Sequence, residues 1–217
     1  MYKKPPARSS RAPRPEEGRR RVILEATLRI IASEGADAVT HRRVAQAAGV
    51  PLGSITYYFK SREDLMREAF RQYLRDLMEF ITHLERELPV AAPNDVVERA
   101  LEVVRREFAN ADMVPVEYEL ILRAARDELL AKEFLSCVRY LEARVAEALE
   151  GIGVSRPIDA ARTIIDLVRG FELERLTRPS ADTEDLRRRL ARVVDGLIAT
   201  PGVSAAARAT REKRRKE

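Results

Sequence analysis

Residues 40–60 read THRRVAQAAGVPLGSITYYFK, and this stretch decides the fold. Val44, Ala45 and Ala48 recur at the spacing of one helical face, and Thr40 stands ahead of them as an N-cap. Gly49 ends that helix, because glycine takes the positive φ of a tight turn without a Cβ clash. Ala45 is small enough for a second helix to cross closely. Val50, Ile55, Tyr58 and Phe59 would form the inner side of that second helix. Its outward positions are Leu52, Gly53, Ser54, Thr56 and Tyr57, which leaves them to face a DNA groove. The pattern is a helix-turn-helix.

Ahead of the motif, Val22, Ile23, Ala26, Ile30 and Ile31 make one apolar face between about Glu17 and Glu34, with Gly35 as the stop. This helix would brace the motif, giving a three-helix head. On the other side, Ser61 caps a helix that runs to about Leu88, with Glu63 and Asp64 favourably placed in its first turn. Its apolar positions Leu65, Ala69, Leu77, Phe80, Ile81 and Leu84 continue past what the head needs, so it is read as the mechanical link to a body. Pro89 and Pro93 close it, and Asn94 is the candidate cap of the next helix. Body helices are expected over about Asp95–Ala109, Pro115–Leu129, Ala131–Leu149, Pro157–Thr177 and Glu184–Ala199. The fold class is all-α.

The run from Arg21 to about Leu74 resembles the N-terminal domain of TetR-family transcriptional regulators, carried by GVPLGSITYYFKSREDL at Gly49–Leu65. The resemblance implies a DNA-binding head and a helical body for ligand binding and dimerisation, with no cofactor. It also implies a homodimer on a palindromic double-stranded operator, released by a small-molecule effector, and repression rather than activation. Arg42 matches a family position that reaches base edges, where its fork suits guanine. Thr40, Tyr57, Tyr58, Lys60 and Arg62 can donate to phosphates, and Leu52, Gly53, Ser54 and Thr56 line the outer row of the recognition helix. Arg43 is a groove or phosphate contact, or merely exposed, and His41 is a weaker candidate of the same kind. Phe59 is read as core; Tyr58 stands between core and phosphate contact. Where the family most often has tyrosine in the outer row this chain has Thr56, so its base preference is its own.

Charge divides the chain. Residues 1–21 carry eight Lys/Arg and two Glu, and 201–217 carry six Lys/Arg and two Glu. Residues 22–66 balance at five of each sign, while 67–200 hold 21 basic and 26 acidic residues. The expected organisation is a disordered basic arm at 1–16, the head at 17–66, an effector-binding and dimerisation body at 67–200, and a basic tail at 201–217. The arm is either a DNA-touching segment or a solvated tail; for the C-terminal run the solvated tail is favoured.

Apolar residues in Pro157–Thr177 and Glu184–Ala199 cover more than one face. That width suggests a four-helix dimer interface, with Ile164, Val168, Phe171, Leu190, Val194 and Leu197 as its candidates; the alternative is ordinary monomer core. Phe80, Phe108, Met113, Tyr118, Glu119 and Phe171 are the candidates for an effector cavity. Glu117, Asp127 and Glu172 near such aromatics would suit a flat, cationic ligand.

An enzyme is disfavoured, since no phosphate-binding Gly-rich loop or metal-ligand cluster occurs and His41 and His83 belong to no evident triad. No catalytic or metal site is therefore expected. The only cysteine, Cys137, reads as a small core residue. No apolar run reaches membrane-spanning length and the first residues hold no signal-peptide hydrophobic region, so a cytoplasmic protein with no membrane partner is expected. The rival function is a sequence-nonspecific, architectural DNA binder, suggested by the basic tails.

Overall fold

A computed structural model describes residues 15–109, 113–178 and 180–199. Among these every regular element is helical: α1 Pro15–Glu34, α2 His41–Ala48, α3 Leu52–Tyr58, α4 Arg62–Glu87, α5 Pro93–Ala109, α6 Val114–Ala124, α7 Glu128–Gly151, α8 Pro157–Thr177 and α9 Thr183–Ala199. The basic tail at 201–217 and most of the arm at 1–16 lie outside the described residues. α1 begins at Pro15, two residues ahead of the expected Glu17, with proline in its first turn and Glu16 and Glu17 at the positive end of the helix dipole.

Local chemistry explains most boundaries. Thr40 Oγ1 accepts from the Arg43 amide at 3.1 Å, and Ser61 Oγ accepts from the Asp64 amide at 3.0 Å, so both expected caps are made. Gly49 sits at φ 65°, and its amide reaches back to the carbonyls of Ala45 and Gln46. Between α1 and α2, Gly35 at φ 83° leads into a 3-10 turn at Ala36–Ala38.

Two boundaries differ from expectation, each at an aspartate. Asn94 does not cap α5; it lies inside the helix, which opens at Pro93. Asp95 Oδ2 instead accepts from the amides of Ala91 and Ala92 at 2.9 and 2.8 Å. Likewise α6 stops at Ala124 instead of running to Leu129, because Asp127 Oδ1 accepts from the amides of Leu129 and Leu130 at 3.1 Å each and starts α7 three residues early. Asp127 caps amides that the start of α7 leaves open, whereas Asp95, in the first turn of α5, reaches back to the two amides just ahead of that helix.

Two apolar cores result. The first runs from α1 through the helix-turn-helix into α4, α6 and the start of α7, joining Ile23, Ile31, Val44, Ile55, Phe59 and Phe70 to Leu120 and Leu130. The second joins α5 to the ends of α7, α8 and α9. The head is thus packed on the body, not tethered to it.

The dimer candidates need correction here. Ile164, Phe171, Leu190 and Val194 are buried within the subunit, in the second core, and Val168 and Leu197 pack against it. They fill the inner faces of α8 and α9. The outer apolar side chains on these helices are Ile158, Leu173, Leu176 and Ile198, all exposed.

Candidate nucleic-acid interface and effector cavity

The motif separates its two faces cleanly. Ile55 and Phe59 are buried, while Leu52, Thr56 and Tyr57 are exposed, Tyr57 at 75 %. Tyr58 is half-buried against the first core and meets Tyr57 edge-on with ring centres 5.0 Å apart, so it packs on the core in part and stays in part open to solvent. Thr56 Oγ1 donates to the Gly53 carbonyl at 3.2 Å, which leaves its oxygen as an outward acceptor. A Cβ at Gly53 would meet nothing within 4 Å, so nothing in the subunit demands glycine there. Ser54 is half-buried in the same short helix.

The cations divide by what already holds them. Arg42 and Lys60 are exposed, with no side-chain partner among the described residues. Arg43 is paired with Glu34, Nη2 to Oε1 at 2.5 Å, and that hydrogen bond raises its pKa above the usual guanidinium value. Arg62, expected on phosphates, is turned inward: Nε donates to the Val39 carbonyl at 2.8 Å and Nη2 to the Ala36 carbonyl at 2.6 Å. The Ala36 carbonyl also accepts from the Val39 amide at 3.2 Å, closing the 3-10 turn, and the Val39 carbonyl follows that turn, so the guanidinium is a strut between α4 and the turn. Thr40 likewise spends its hydroxyl oxygen on capping α2. His41 is half-buried, with Nε2 unpartnered among the described residues.

In the body an apolar cavity of about 90 Å³ lies between α4, α5, α6, α7 and α8. None of the six expected ligand residues lines it. Phe80 and Phe108 lie under the guanidiniums of Arg106 and Arg175, at 4.1 and 3.8 Å. Met113 packs on the first core, Phe171 is inside the second, and Tyr118 donates to the Arg169 carbonyl at 2.9 Å. Glu119 faces a separate polar cleft between head and body. For the four aromatic residues the reason is shared: aromatic content marks packing positions as readily as cavity walls. Asp127, also expected near the ligand, caps α7 instead.

The cavity wall is made of Tyr73, Leu77, Phe134, Leu141 and Val168, with Cys137 among them. Burial pushes the Cys137 thiol up to about 11, in keeping with a core residue. Three carboxylates converge there, Glu107, Glu117 and Glu172, with Arg169 on the wall and Arg106 behind it, its Nη1 3.8 Å from Glu107 Oε1. Glu117 is held by Arg169 Nε and by the Tyr73 hydroxyl, each at 3.3 Å. Glu107 and Glu172 are each only 4 % exposed. Burial first, then for Glu172 the neighbouring Glu117 and Glu107, pushes Glu172 up to about 8; burial against the opposing pull of Arg106 leaves Glu107 at about 7. Glu107 Oε2 has no hydrogen-bond partner among the described residues.

Sequence reasoning named Glu117 and Glu172 but missed Glu107. A signal was present: Glu107 falls three residues after Val104 and seven after Ala100, on the apolar stripe of α5. A carboxylate in such a stripe marks a wall that is not simply core. Among the described residues no group of His, Cys, Asp and Glu is arranged to hold a metal, and no helix is long and apolar enough to cross a membrane.

Comparison with known proteins agrees with this architecture. Residues 23–69 match the family model for bacterial regulatory proteins of the tetR family, and residues 91–200 match that for the tetracyclin repressor-like C-terminal domain. The chain belongs to the tetR family. The HTH-type transcriptional regulator BetI of Burkholderia lata is 35 % identical over 92 residues, covering 42 % of this chain and 45 % of that protein. The chain therefore spans somewhat under half the length of the curated relatives it matches. A transcriptional regulator from Streptomyces coelicolor A3(2) is 30 % identical, with a TM-score of 0.60 over 81 % of this chain and 98 % of that one. The multidrug binding protein EbrR, complexed with imidazole, is 27 % identical, with a TM-score of 0.59 over 91 % and 99 % of the two chains.

Proposed function

We propose that this protein is a ligand-released repressor that binds a palindromic operator as a homodimer. In this reading the head, residues 17–66, reads DNA, and the body, 67–200, binds the effector and the second subunit. The observation that carries it is the outer row of α3, where Leu52, Gly53, Thr56 and Tyr57 stand clear of the subunit while Ile55 and Phe59 anchor the helix from beneath. Arg42 supplies a free fork for base edges, and Lys60 and Tyr57 supply phosphate contacts. Thr40, Ser54 and Tyr58 sit at the edge of the same face, and Arg43 joins it only by leaving Glu34.

One recognition helix reads a few base pairs, whereas a two-fold dimer reads two half-sites about 34–36 Å apart. The exposed outer rows of α8 and α9 suit a four-helix contact between subunits. An organic cation is the effector favoured by three carboxylates against two arginines, Arg169 and Arg106, beside apolar walls. The likeness to a multidrug binding protein supports a small organic ligand. A cavity of about 90 Å³ is small for such a ligand, so its entry must part the helices around α4 and change the spacing of the heads.

The experiment is footprinting on the DNA flanking the protein's own coding region, with excess unrelated duplex. A short protected palindrome, lost on adding an organic cation, is the expected result. Binding that the competitor removes would support the architectural alternative instead.

A further inference from the structure

The cavity does not end at its carboxylates. A second hollow of about 60 Å³ lies against it, and the two share the walls Ile81, Ala100, Val103, Leu141, Val145 and Ile164. All six are apolar. Beyond them the second hollow reaches Arg99, Arg144 and Glu85. Glu85 is already held by Arg144, whose Nε and Nη2 donate to it at 2.7 and 2.9 Å. Arg99 donates to the Leu88 carbonyl and has no carboxylate at ion-pair distance among the described residues.

The ends therefore differ in sign. Once ionised, Glu107, Glu117 and Glu172 outnumber Arg169 and Arg106, the latter 3.8 Å from Glu107, by one at one end, and Arg99 is the surplus charge at the other. Glu107 and Arg99 are eight residues apart on α5, about 12 Å along its axis. Acidic residues alone would not define a ligand. Glu107, however, is 4 % exposed, lines the cavity, and keeps Oε2 without a partner among the described residues. A buried carboxylate oxygen left this way is stabilised by an incoming positive charge or donor.

We propose that the two hollows form one channel for an elongated organic monocation, with its ammonium head at Glu107 and Glu172 and its unbranched apolar tail passing Ala100 and Leu141 toward Arg99. This rests on reading the body as an effector site, and adds the ligand's length and polarity. The head answers the unpartnered oxygen, and the tail displaces solvent from apolar walls. A second positive charge at the tail's end would meet Arg99, so a dication of equal length is rejected.

Calorimetric titration of the full chain with butyl-, hexyl-, octyl- and decyl-trimethylammonium, each below its micelle concentration, tests this. Affinity should rise by up to about fourfold per methylene from butyl to octyl. The bis-quaternary ion of decyl length and neutral octanol should bind at least tenfold more weakly than their monocationic counterparts. Ala100→Leu and, separately, Val103→Phe narrow the passage; with helicity and melting checked, either should flatten the chain-length dependence while butyl binding persists. Cations that bind with equal affinity at every tail length, or a dication that binds as well as the monocation, would overturn the channel and leave the effector reading standing. Absence of binding by every cation, with operator binding intact, would overturn the channel and the cationic effector together.

Discussion

Arg67 of α4 and Asp127, the residue that caps α7, are joined by Nη2 to Oδ2 at 3.1 Å. The other oxygen of the same carboxylate accepts from the amides of Leu129 and Leu130, so one side chain starts a body helix and holds the helix that leads out of the head. Those hydrogen bonds, that from Leu130 foremost, keep the Asp127 carboxyl below its usual range. Arg71 adds a second tie to α7 through Glu133, so α4 is held to α7 at two points.

Substitution at Asp127 should separate capping from coupling. Asparagine also caps helices, so Asp127→Asn should keep stability within about 0.5 kcal/mol, whereas Asp127→Ala should lose about 1 kcal/mol. Both remove the charge that Arg67 holds. Both should therefore raise the concentration of octyltrimethylammonium needed to release operator DNA. Urea melts and release titrations measure the two effects independently, and unchanged release in Asp127→Asn would remove this pair from the coupling route.

Gly53 gives a test in which stability and function move in opposite directions. The position is helical, exposed and without neighbours within 4 Å of a Cβ. Alanine there should stabilise the fold by up to about 1 kcal/mol. If the glycine is present so that DNA can approach the backbone, operator affinity should fall while the melting temperature rises. Undiminished affinity in Gly53→Ala would move that face of α3 away from the groove.

Among the exposed residues, Tyr57→Ala should weaken binding to all duplexes, and Arg42→Ala should chiefly relax base preference. Lys60→Ala should reduce the salt slope by about 1, the share of one phosphate contact. Arg62→Ala should behave differently. It strips the Arg62 hydrogen bond from the Val39 carbonyl and one of two from the Ala36 carbonyl, which keeps the Val39 amide, so it should cost about 1–3 kcal/mol of stability and leave the salt slope of the folded fraction unchanged. Denaturation together with binding across a salt series distinguishes the two outcomes.

The contrast between Lys60 and Arg62 shows what a sequence makes legible. Thr40, Gly49 and Ser61 could be read directly, because a cap or a left-handed turn is settled within four residues of chain. Phe59 was legible from periodicity. The use of Arg62 was not, since its partners are carbonyls 23 and 26 positions earlier that only the folded turn presents. Four dimer candidates, Ile164, Phe171, Leu190 and Val194, are monomer core for a related reason. Both faces of α8 carry apolar residues, and only the placement of α5 and α9 decides that Ile164 and Phe171 turn inward while Leu173 and Leu176 stay out. Of the aromatic residues of the body, Phe134 lines the cavity while Phe80, Phe108, Tyr118 and Phe171 do not, and Glu107 on an apolar stripe was the unused signal.

The buried carboxylates set the pH behaviour. Glu107 at about 7 and Glu172 at about 8 keep their protons where an unfolded chain, titrating near 4.5, has released them. The native state then binds more protons than the unfolded state, so stability is fully present below that unfolded value and falls as pH rises through about 7 to 8. Each tenfold gain in a carboxylate's proton affinity on folding corresponds to at most about 1.4 kcal/mol. Glu107→Gln and Glu172→Gln, neutral at every pH, should flatten the decline in urea midpoint between about pH 5 and pH 8 relative to the unaltered protein. Arg169, Arg106, Glu117 and Tyr73 face the same pair, and burial holds the Tyr73 hydroxyl protonated throughout that range. Binding of a permanent cation has the opposite sign. It favours the ionised carboxylates, so its affinity should increase over the range in which the empty protein loses stability. Parallel declines of stability in all three proteins, or cation affinity independent of pH, would mean that Glu107 and Glu172 do not hold the protons assigned to them.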